Sequence, residues 1–350
     1  MTVSEYESHE VQTSSGRERA EQDWLTERKQ VIGASEWAGI LGHGYSGQTI
    51  HSVWTSKVYP ESVRPLTGAF LEVGKILEPA LARVAERFLN SNLAVQHTRK
   101  PRVIRHGDRS SGKRRRVSNG MESHSRLKYL GASLDAVIFE KRKPTDIEER
   151  RSWWPGVADE FSDLSWCPLE LKSVSGFARS EWDNGSAPLK HEIQLQAQMF
   201  VSQCPIGCLF TIIDNAPVYR WRRINKGFID AVLPRLEYFW MCVRTKSPPE
   251  IREEDYASDS VAKMLKAVYP QDDGRHIELP PEAAEWHSAR EHGLSMRKDA
   301  AEIIDSNTNR IREAIGSATS AAINDVTYTL RRDKRGIRTL RTRKAAKNDD

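Results

Sequence analysis

A strand-like alternation near the middle of the chain constrains its fold more than any other feature. The segment Leu169 to Lys172 reads Leu-Glu-Leu-Lys, so on a β-strand both leucines face one side and both charges the other. Asp135 follows residues 129–134 and leads into the apolar residues 136–139, which predicts a second strand that one carboxylate interrupts. If these strands are neighbours, two carboxylates and one ammonium meet on one face of a sheet.

This combination of side chains favours a particular chemistry. The carboxylates of Asp135 and Glu170 are hard oxygen donors, the type that Mg²⁺ prefers. An ammonium such as that of Lys172 can position an attacking water or help to activate it, which predicts metal-assisted hydrolysis of a phosphodiester. A Glu-x-Lys sequence is also common on the solvated face of an edge strand, so these three residues alone do not define such a site.

Four blocks of sequence stand in order between about residues 24 and 215. They are Arg28 with 31–36 (VIGASE) and 40–42 (ILG), 74–79 (GKILEP), Asp135 with 170–172 (ELK), and 191–199 (HEIQLQAQM). In this order the blocks resemble the PD-(D/E)XK nucleases, and within them the YqaJ-type viral recombinase and lambda exonuclease family. The rest of the chain lies outside the resemblance.

The resemblance implies a restriction-endonuclease-like α/β fold, with a mixed central sheet flanked by helices. It implies a Mg²⁺-dependent deoxyribonuclease, for which Mn²⁺ can substitute, that resects double-stranded DNA ends in the 5′-to-3′ direction for phage-type recombination. It also implies a ring-shaped homotrimer that cooperates with a single-strand annealing protein.

The resemblance assigns roles to particular residues. Asp135, Glu170, Glu78 and the Leu171 carbonyl would hold the metal, while Lys172 and Gln194 would assist catalysis. Arg28 and Ser35 would bind the terminal 5′-phosphate, and Ser133 would join them.

Some of these residues have simpler explanations. Ser35 is predicted to be the N-cap of a helix that starts at Gly33-Ala34-Ser35, and capping alone would explain it. Glu78 would otherwise be a solvated helix glutamate, and Gln194 a helix glutamine packed under a strand.

Several local predictions follow from the same sequence. Residues 70–89 form an amphipathic helix that Pro79 interrupts, with a core stripe formed by Leu71, Leu77, Leu81, Val84, Ala85 and Phe88. Residues 48–57 form a second helix, and His43 and His51 lie in a loop and on a helix surface. Two strands flank a turn at 215–217, and a further strand pair lies near 326–341.

The composition narrows the class of protein. A formal charge of +5 and a pI near 8.9 fit a partner that carries negative charge. No apolar run reaches the length of a membrane span, and the polar N-terminus is unlike a signal peptide, which predicts a cytoplasmic protein. Four cysteines in 350 residues predict ordinary thiols rather than a disulfide framework or an iron–sulfur cluster.

The domain organisation is predicted in three parts. Residues 1–20 are a disordered N-terminus, 21–250 a nuclease domain with insertions near 97–125 and 141–165, and 251–350 a helical, basic extension. The basic insertion either contacts phosphates or is a solvated loop. The basic C-terminal region is either an auxiliary DNA-contact or partner-docking module or a solubilising tail. Trp153 and Trp154, in the second insertion, either stack on DNA bases or pin the loop to the body of the protein.

Two other functions remain open at this stage. One is an endonuclease of the same fold, whose insertions reshape the DNA channel so that it cuts internally. The other is a DNA-binding protein without catalytic activity that uses the basic segments alone.

Overall fold

The computed structural model describes residues 28–45, 47–63, 68–98, 121–154, 164–174 and 176–344. The predicted N-terminal segment 1–20 and most of the basic segment 97–120 lie outside these residues. The chain divides into two compact units, the first up to Gln271 and the second from Asp272.

The described residues of the first unit form two sheets. Their strands are β1 (Ile32–Gly33), β2 (Leu93–His97), β3 (Met121–Ser123), β4 (Leu130–Ser133), β5 (Ala136–Glu140), β6 (Trp166–Ser173), β7 (Ile206–Ile213) and β8 (Ala216–Arg223). The central sheet has the order β2-β5-β6-β7-β8, and the smaller sheet has the order β1-β4-β3. Strands β6 and β7 run parallel while the other neighbours in the central sheet run antiparallel, so the sheet is mixed.

Seven α-helices of this unit have both ends within the described residues. They are α1 (Trp37–Ile40), α2 (Ile50–Val58), α3 (Ala69–Phe88), α4 (Ile147–Trp153), α5 (Leu189–Ser202), α6 (Lys226–Thr245) and α7 (Asp259–Val268). Short 3₁₀ segments lie at Ala34–Glu36, Pro60–Ser62, Gly176–Gly185 and Glu253–Asp255.

The alternation along β6 separates an apolar face from a polar face, as the sequence predicts. Leu169 and Leu171 join a buried cluster with Leu81 and Ala85 of α3, which covers one face of the sheet. Helix α5 packs against β6 and β7, and its glutamines bond to Glu170. Helices therefore cover both faces, and the charged face of β6 lies beneath α5.

A second core forms where α1, α2, α5 and α6 meet the small sheet. Its largest fully buried members are Trp37, Trp54 and Phe239. The indole N–H of Trp54 donates to the Cys242 carbonyl at 3.1 Å. This core fixes the segment between β1 and α2 against α5, which carries one side of the site.

The hairpin between β7 and β8 confirms the predicted strand pair, but the predicted turn at 215–217 is wrong, because β8 already begins at Ala216. Asp214 and Asn215 form a two-residue connection in which both φ angles are positive, at 49° and 64°. Such a turn matches the right-handed twist of the flanking strands, and Asn and Asp tolerate its backbone geometry.

Three other local predictions are wrong. Helix α3 continues through Pro79. Leu77 and Phe88 are exposed, and among the α3 residues whose burial is described the buried ones are Leu81, Ala82 and Ala85; Leu71 lies outside those residues. His51 is buried and its Nε2 lies 3.2 Å from the Glu250 carbonyl.

The tryptophans of the second insertion are part of the core. Trp153 and Trp154 are both buried, and the Trp154 indole N–H donates to Glu140 at 3.0 Å. Of the two predicted roles, they therefore pin the insertion to the body of the protein. All four cysteines are buried free thiols.

The described residues of the second unit, 272–344, form one long helix and one antiparallel sheet. Helix α8 (Ala283–Ile315) is followed by β9 (Ser320–Ile323), β10 (Val326–Arg332) and β11 (Arg338–Lys344), in the sheet order β11-β10-β9. The predicted strand pair is confirmed as β10 and β11, and β9 adds a third strand that the sequence did not indicate.

Candidate active site

Asp135 and Glu170 meet because their strands pair. The register of β5 and β6 places Ala136 opposite Leu169, so Asp135, one residue before β5, lies beside Glu170. The Leu171 backbone N–H donates to Asp135 Oδ2 at 3.1 Å. The structure thus brings together the two carboxylates that the sequence pattern selected.

Glu170 is buried and fully engaged by polar partners. Its side chain is 1% exposed, and its Oε1 accepts from Lys172 Nζ and, at 2.6 Å, from Gln194 Nε2. Its Oε2 accepts from Gln198 Nε2. A buried carboxylate is costly unless it is paired and hydrogen-bonded, and this arrangement supplies an ammonium and two amides.

Helix α5 supplies both amides from successive turns. Gln194 and Gln198 lie four residues apart and therefore on one face of the helix. Gln194 Oε1 also accepts from Lys172 Nζ at 3.1 Å, so its amide touches both charged groups of β6. Gln198 Nε2 lies 3.2 Å from the Ser133 carbonyl as well as beside Glu170. Gln198, which the sequence did not assign to the site, therefore ties β4 to the carboxylate centre.

The charges of the site strongly affect one another. Burial and the Glu170 carboxylate raise the pKa of Asp135 well above its usual range, opposed by Lys172 and reinforced by Glu78. Burial alone would lower the pKa of Lys172, but the Glu170 carboxylate and its other neighbours outweigh it and raise that pKa. Lys172 therefore remains an ammonium, able to donate hydrogen bonds but not to accept a proton.

Glu78 approaches the same site from α3. Its Oε2 lies 3.6 Å from His97 Nε2, and His97 pairs with Ala136, the residue after Asp135. Its charge contributes to the raised pKa of Asp135. Within the described ranges, however, no three His, Cys, Asp or Glu side chains lie close enough to enclose a metal ion.

Arg28 and Ser35 form a contact next to α1. Arg28 Nη2 donates to Ser35 Oγ at 3.0 Å, and about a third of the Arg28 side chain is exposed. Glu36 Oε2 accepts from the Gly33 N–H and pairs with Lys57 Nζ, both at 2.8 Å. Ser35 lies inside the 3₁₀ turn Ala34–Glu36 and makes no N-cap bond, so the prediction that it caps a helix is wrong.

Ser133 lies at the corresponding end of the neighbouring strand. Strands β1 and β4 run parallel, with Gly33 opposite Gly131. Ser35 and Ser133 each follow these glycines by two residues, so both lie at the same end of the strand pair. The carbonyl of Ser133 accepts from Gln198. The three residues assigned to the phosphate thus lie on elements that border the carboxylate centre.

Tyr45 and His191 are site residues that the sequence reading missed. The Tyr45 hydroxyl lies 3.2 Å from His191 Nδ1 and interacts with Lys172. Burial, together with the charges of Lys172 and Lys190, lowers the pKa of His191 to about 3. His191 opens the fourth sequence block and could have been found there, whereas no sequence pattern marks Tyr45.

The donor set fits a hard divalent cation. The carboxylates of Asp135 and Glu170 lie on the same face of the sheet, and burial together with the negative charges of Glu170 and Glu78 raises the pKa of Asp135, so a cation bound here would offset the repulsion between the carboxylates. Oxygen is the donor that Mg²⁺ selects. Among the described helices, none is both long and apolar enough to cross a bilayer.

A mixed five-stranded sheet that carries an Asp on one strand and a Glu-x-Lys on the next, with helices over both faces, defines a restriction-endonuclease-like α/β protein. The chain belongs to the YqaJ-like viral recombinase domain family, whose model matches residues 23–205. Membership of this family supports a nuclease function.

Three solved structures resemble the chain at low sequence identity. LHK-Exo in complex with dAMP is 13% identical with a TM-score of 0.44, and the LHK-Exo alkaline exonuclease from Laribacter hongkongensis is 13% identical with a TM-score of 0.43; each match covers 65% of this chain and 94% of the other. The structure of SSO0001 is 15% identical with a TM-score of 0.34, covering 69% and 94%. No curated protein matches the sequence significantly.

Proposed function

We propose that this chain is a Mg²⁺-dependent exodeoxyribonuclease that resects double-stranded DNA ends from 5′ to 3′ during phage-type recombination. The observation that carries the proposal is the convergence of Asp135, Glu170 and Lys172 beneath the glutamines of α5. Family membership supports the nuclease class. Mn²⁺ is expected to substitute for Mg²⁺, because both accept oxygen ligands.

Asp135, Glu170 and the Leu171 carbonyl would hold the metal, with Glu78 completing the acidic side of the site. When bound, the metal supplies charge stabilisation at the phosphodiester and favours formation of the nucleophile. Lys172 remains protonated and orients the attacking water or the scissile phosphate through its N–H donors. The side-chain amide of Gln194 bonds to both Lys172 and Glu170 and so holds these two groups in a fixed arrangement.

The Arg28–Ser35 contact supports recognition of a 5′-phosphate. A guanidinium can donate two parallel hydrogen bonds to phosphate oxygens, and a serine hydroxyl can donate a third. Ser133, beside the same strand pair, would complete the pocket. A phosphate held here would fix the terminal nucleotide and give the enzyme its direction along the strand.

Membership of a viral recombinase family is the support for two further elements of the proposal. These are assembly as a ring-shaped homotrimer around the DNA and cooperation with a single-strand annealing protein that takes up the exposed strand. Mass photometry of the purified chain tests the first element, with a species of three times the monomer mass as the expected result.

The choice of DNA substrate tests the proposed reaction. Purified protein with Mg²⁺ should degrade linear duplex with a 5′-phosphate faster than the same duplex with a 5′-hydroxyl, and should leave a covalently closed circle intact. Arg28→Ala should remove the difference between the two linear substrates. Ready cutting of the closed circle would instead identify an endonuclease of the same fold, and DNA binding without any cleavage would identify a non-catalytic protein.

A further inference from the structure

The β10–β11 pair of the second unit has one face built from arginine and threonine. Residues that pair across antiparallel strands share a face, and the register pairs Thr327 with Arg343, Thr329 with Arg341, and Arg331 with Thr339. Six side chains of only two types, three cationic and three hydroxylic, therefore line one side of the ribbon.

This face points away from the small core of the unit. The intervening positions carry Tyr328, Leu330 and Leu340, and Leu330 is buried along with Ile315 at the end of α8. Five of the six Arg and Thr side chains are exposed, and Thr329 is half-buried. The sheet thus presents its Arg/Thr face to solvent.

The positive charge of this face is not neutralised locally. Residues 320–344 contain eight Lys and Arg but only two acids, Asp325 and Asp333. Asp333 Oδ1 accepts from the N–H groups of Arg335 and Ile337 at 2.8 and 3.0 Å, so it stabilises the turn. In the part of the chain that the structure describes, no carboxylate pairs with the three arginines of the face.

Arg338, on the opposite face of the sheet, has a structural role and provides a comparison for the three arginines of the Arg/Thr face. Its guanidinium donates to the carbonyls of Leu330 at 3.3 Å, Gly316 at 2.8 Å and Ala318 at 2.6 Å. Arg338 therefore fastens the sheet to the end of α8. Arg331, Arg341 and Arg343 make no such bonds within the described residues and leave their donors to solvent.

We propose that this Arg/Thr face of the second unit is a binding surface for the sugar–phosphate backbone of duplex DNA. Side chains two residues apart on a strand repeat every 6.6–6.8 Å or so, and neighbouring strands lie about 4.8 Å apart. This grid presents guanidinium forks and hydroxyls, the groups that contact phosphates most often.

The composition of the face favours DNA over a lipid surface. A membrane-surface element inserts aromatic or aliphatic side chains beside its cations, and the Arg/Thr face has none. The choice of duplex DNA as the ligand rests on the proposed nuclease function, for which such a surface would hold the substrate between cleavage events.

Fluorescence anisotropy with a labelled duplex of about 30 base pairs tests this surface in the full chain. Buffer with EDTA prevents cleavage, so binding is measured alone and its failure is separable from failure of the proposed nuclease activity. The variant R331Q/R341Q/R343Q should reduce the slope of log K against log salt concentration by about 2.7, because each phosphate contact contributes about 0.9. Affinity at 0.1 M salt should fall by about 500-fold, the factor that a slope change of about 2.7 gives over one decade of salt concentration.

Two matched variants make the result specific. R297Q/R310Q/R312Q removes the same charge from exposed positions of α8. This variant should change the slope by less than about 0.9, the contribution of a single phosphate contact. R331K/R341K/R343K keeps the charge and should restore most of the slope.

An unchanged slope in the sheet variant, or an equal loss in the helix variant, would overturn the proposal. Loss of binding to vesicles of anionic lipid, with DNA binding intact, would also overturn it and assign the face to a membrane. Circular dichroism of each variant must match wild type, and a sheet variant that unfolds is replaced by its single substitutions.

Discussion

His191 should make the stability of this protein sensitive to mild acid. Its pKa is about 3 in the folded chain, because it is buried near Lys172 and Lys190, against a usual value of 6.5. As the pH falls through 6.5 the unfolded chain gains a proton at this residue, whereas the folded chain does not until about pH 3. The stabilising effect of neutral His191 is therefore complete above pH 6.5 and is lost between pH 6.5 and about 3.

The size of this effect follows from proton linkage. One pKa unit corresponds to about 1.4 kcal/mol. Protonation of His191 in the unfolded chain should therefore lower the free energy of unfolding of the wild-type protein by about 2 kcal/mol between pH 7 and pH 5. His191→Gln retains a polar partner for Tyr45 but cannot titrate. Urea unfolding at the two pH values should show a loss smaller by about 2 kcal/mol in this variant than in wild type.

A histidine on the surface of α8 supplies the control. His287 is exposed, so His287→Gln should leave the pH dependence of wild type unchanged. If His191→Gln and wild type lose the same stability between pH 7 and pH 5, the surroundings of His191 do not keep it neutral. This result would contradict the lowered pKa of His191.

Three further substitutions test the packing around the site. Gln198→Met leaves Glu170 Oε2 without its amide donor, so urea unfolding should show a loss of about 1–3 kcal/mol and the cleavage rate should fall; wild-type values would refute the role of Gln198. Gly44→Ala would place a Cβ 2.8 Å from Gly39 Cα, and thermal unfolding should show a cost of about 1–3 kcal/mol; an unchanged Tm would contradict this contact. Trp154→Ala should cost about 3–5 kcal/mol with duplex affinity in anisotropy unchanged, and a selective loss of affinity would restore the base-stacking role.

The centre of the site could be predicted because strand geometry is periodic. The Leu-Glu-Leu-Lys alternation fixes which side chains share a face, whatever the rest of the fold, and β6 buries Leu169 and Leu171 while it presents Glu170 and Lys172 to α5. The four-residue spacing of Gln194 and Gln198 likewise fixes their common face on a helix.

Other parts of the site depend on tertiary packing that no local pattern encodes. Tyr45 follows a glycine-containing turn and reaches His191 across 146 positions in sequence. Serine is a residue type that often caps helices, but the hydroxyl of Ser35 accepts a hydrogen bond from Arg28 instead. Leu77 and Phe88 fit the apolar stripe of α3 yet are exposed, because helical periodicity identifies a face without showing how much of it is covered.

The most direct test of the central claim compares two lysine variants with wild type. Lys172→Ala removes the ammonium beside Glu170, and Lys263→Ala removes an exposed lysine of α7 that pairs with Asp259 at 2.6 Å. Single-turnover cleavage of 5′-phosphorylated duplex with Mg²⁺ should be about 10²–10³-fold slower for Lys172→Ala, with duplex binding in EDTA retained, while Lys263→Ala should match wild type. Wild-type cleavage by Lys172→Ala would contradict the assignment of Asp135, Glu170 and Lys172 as the hydrolytic centre.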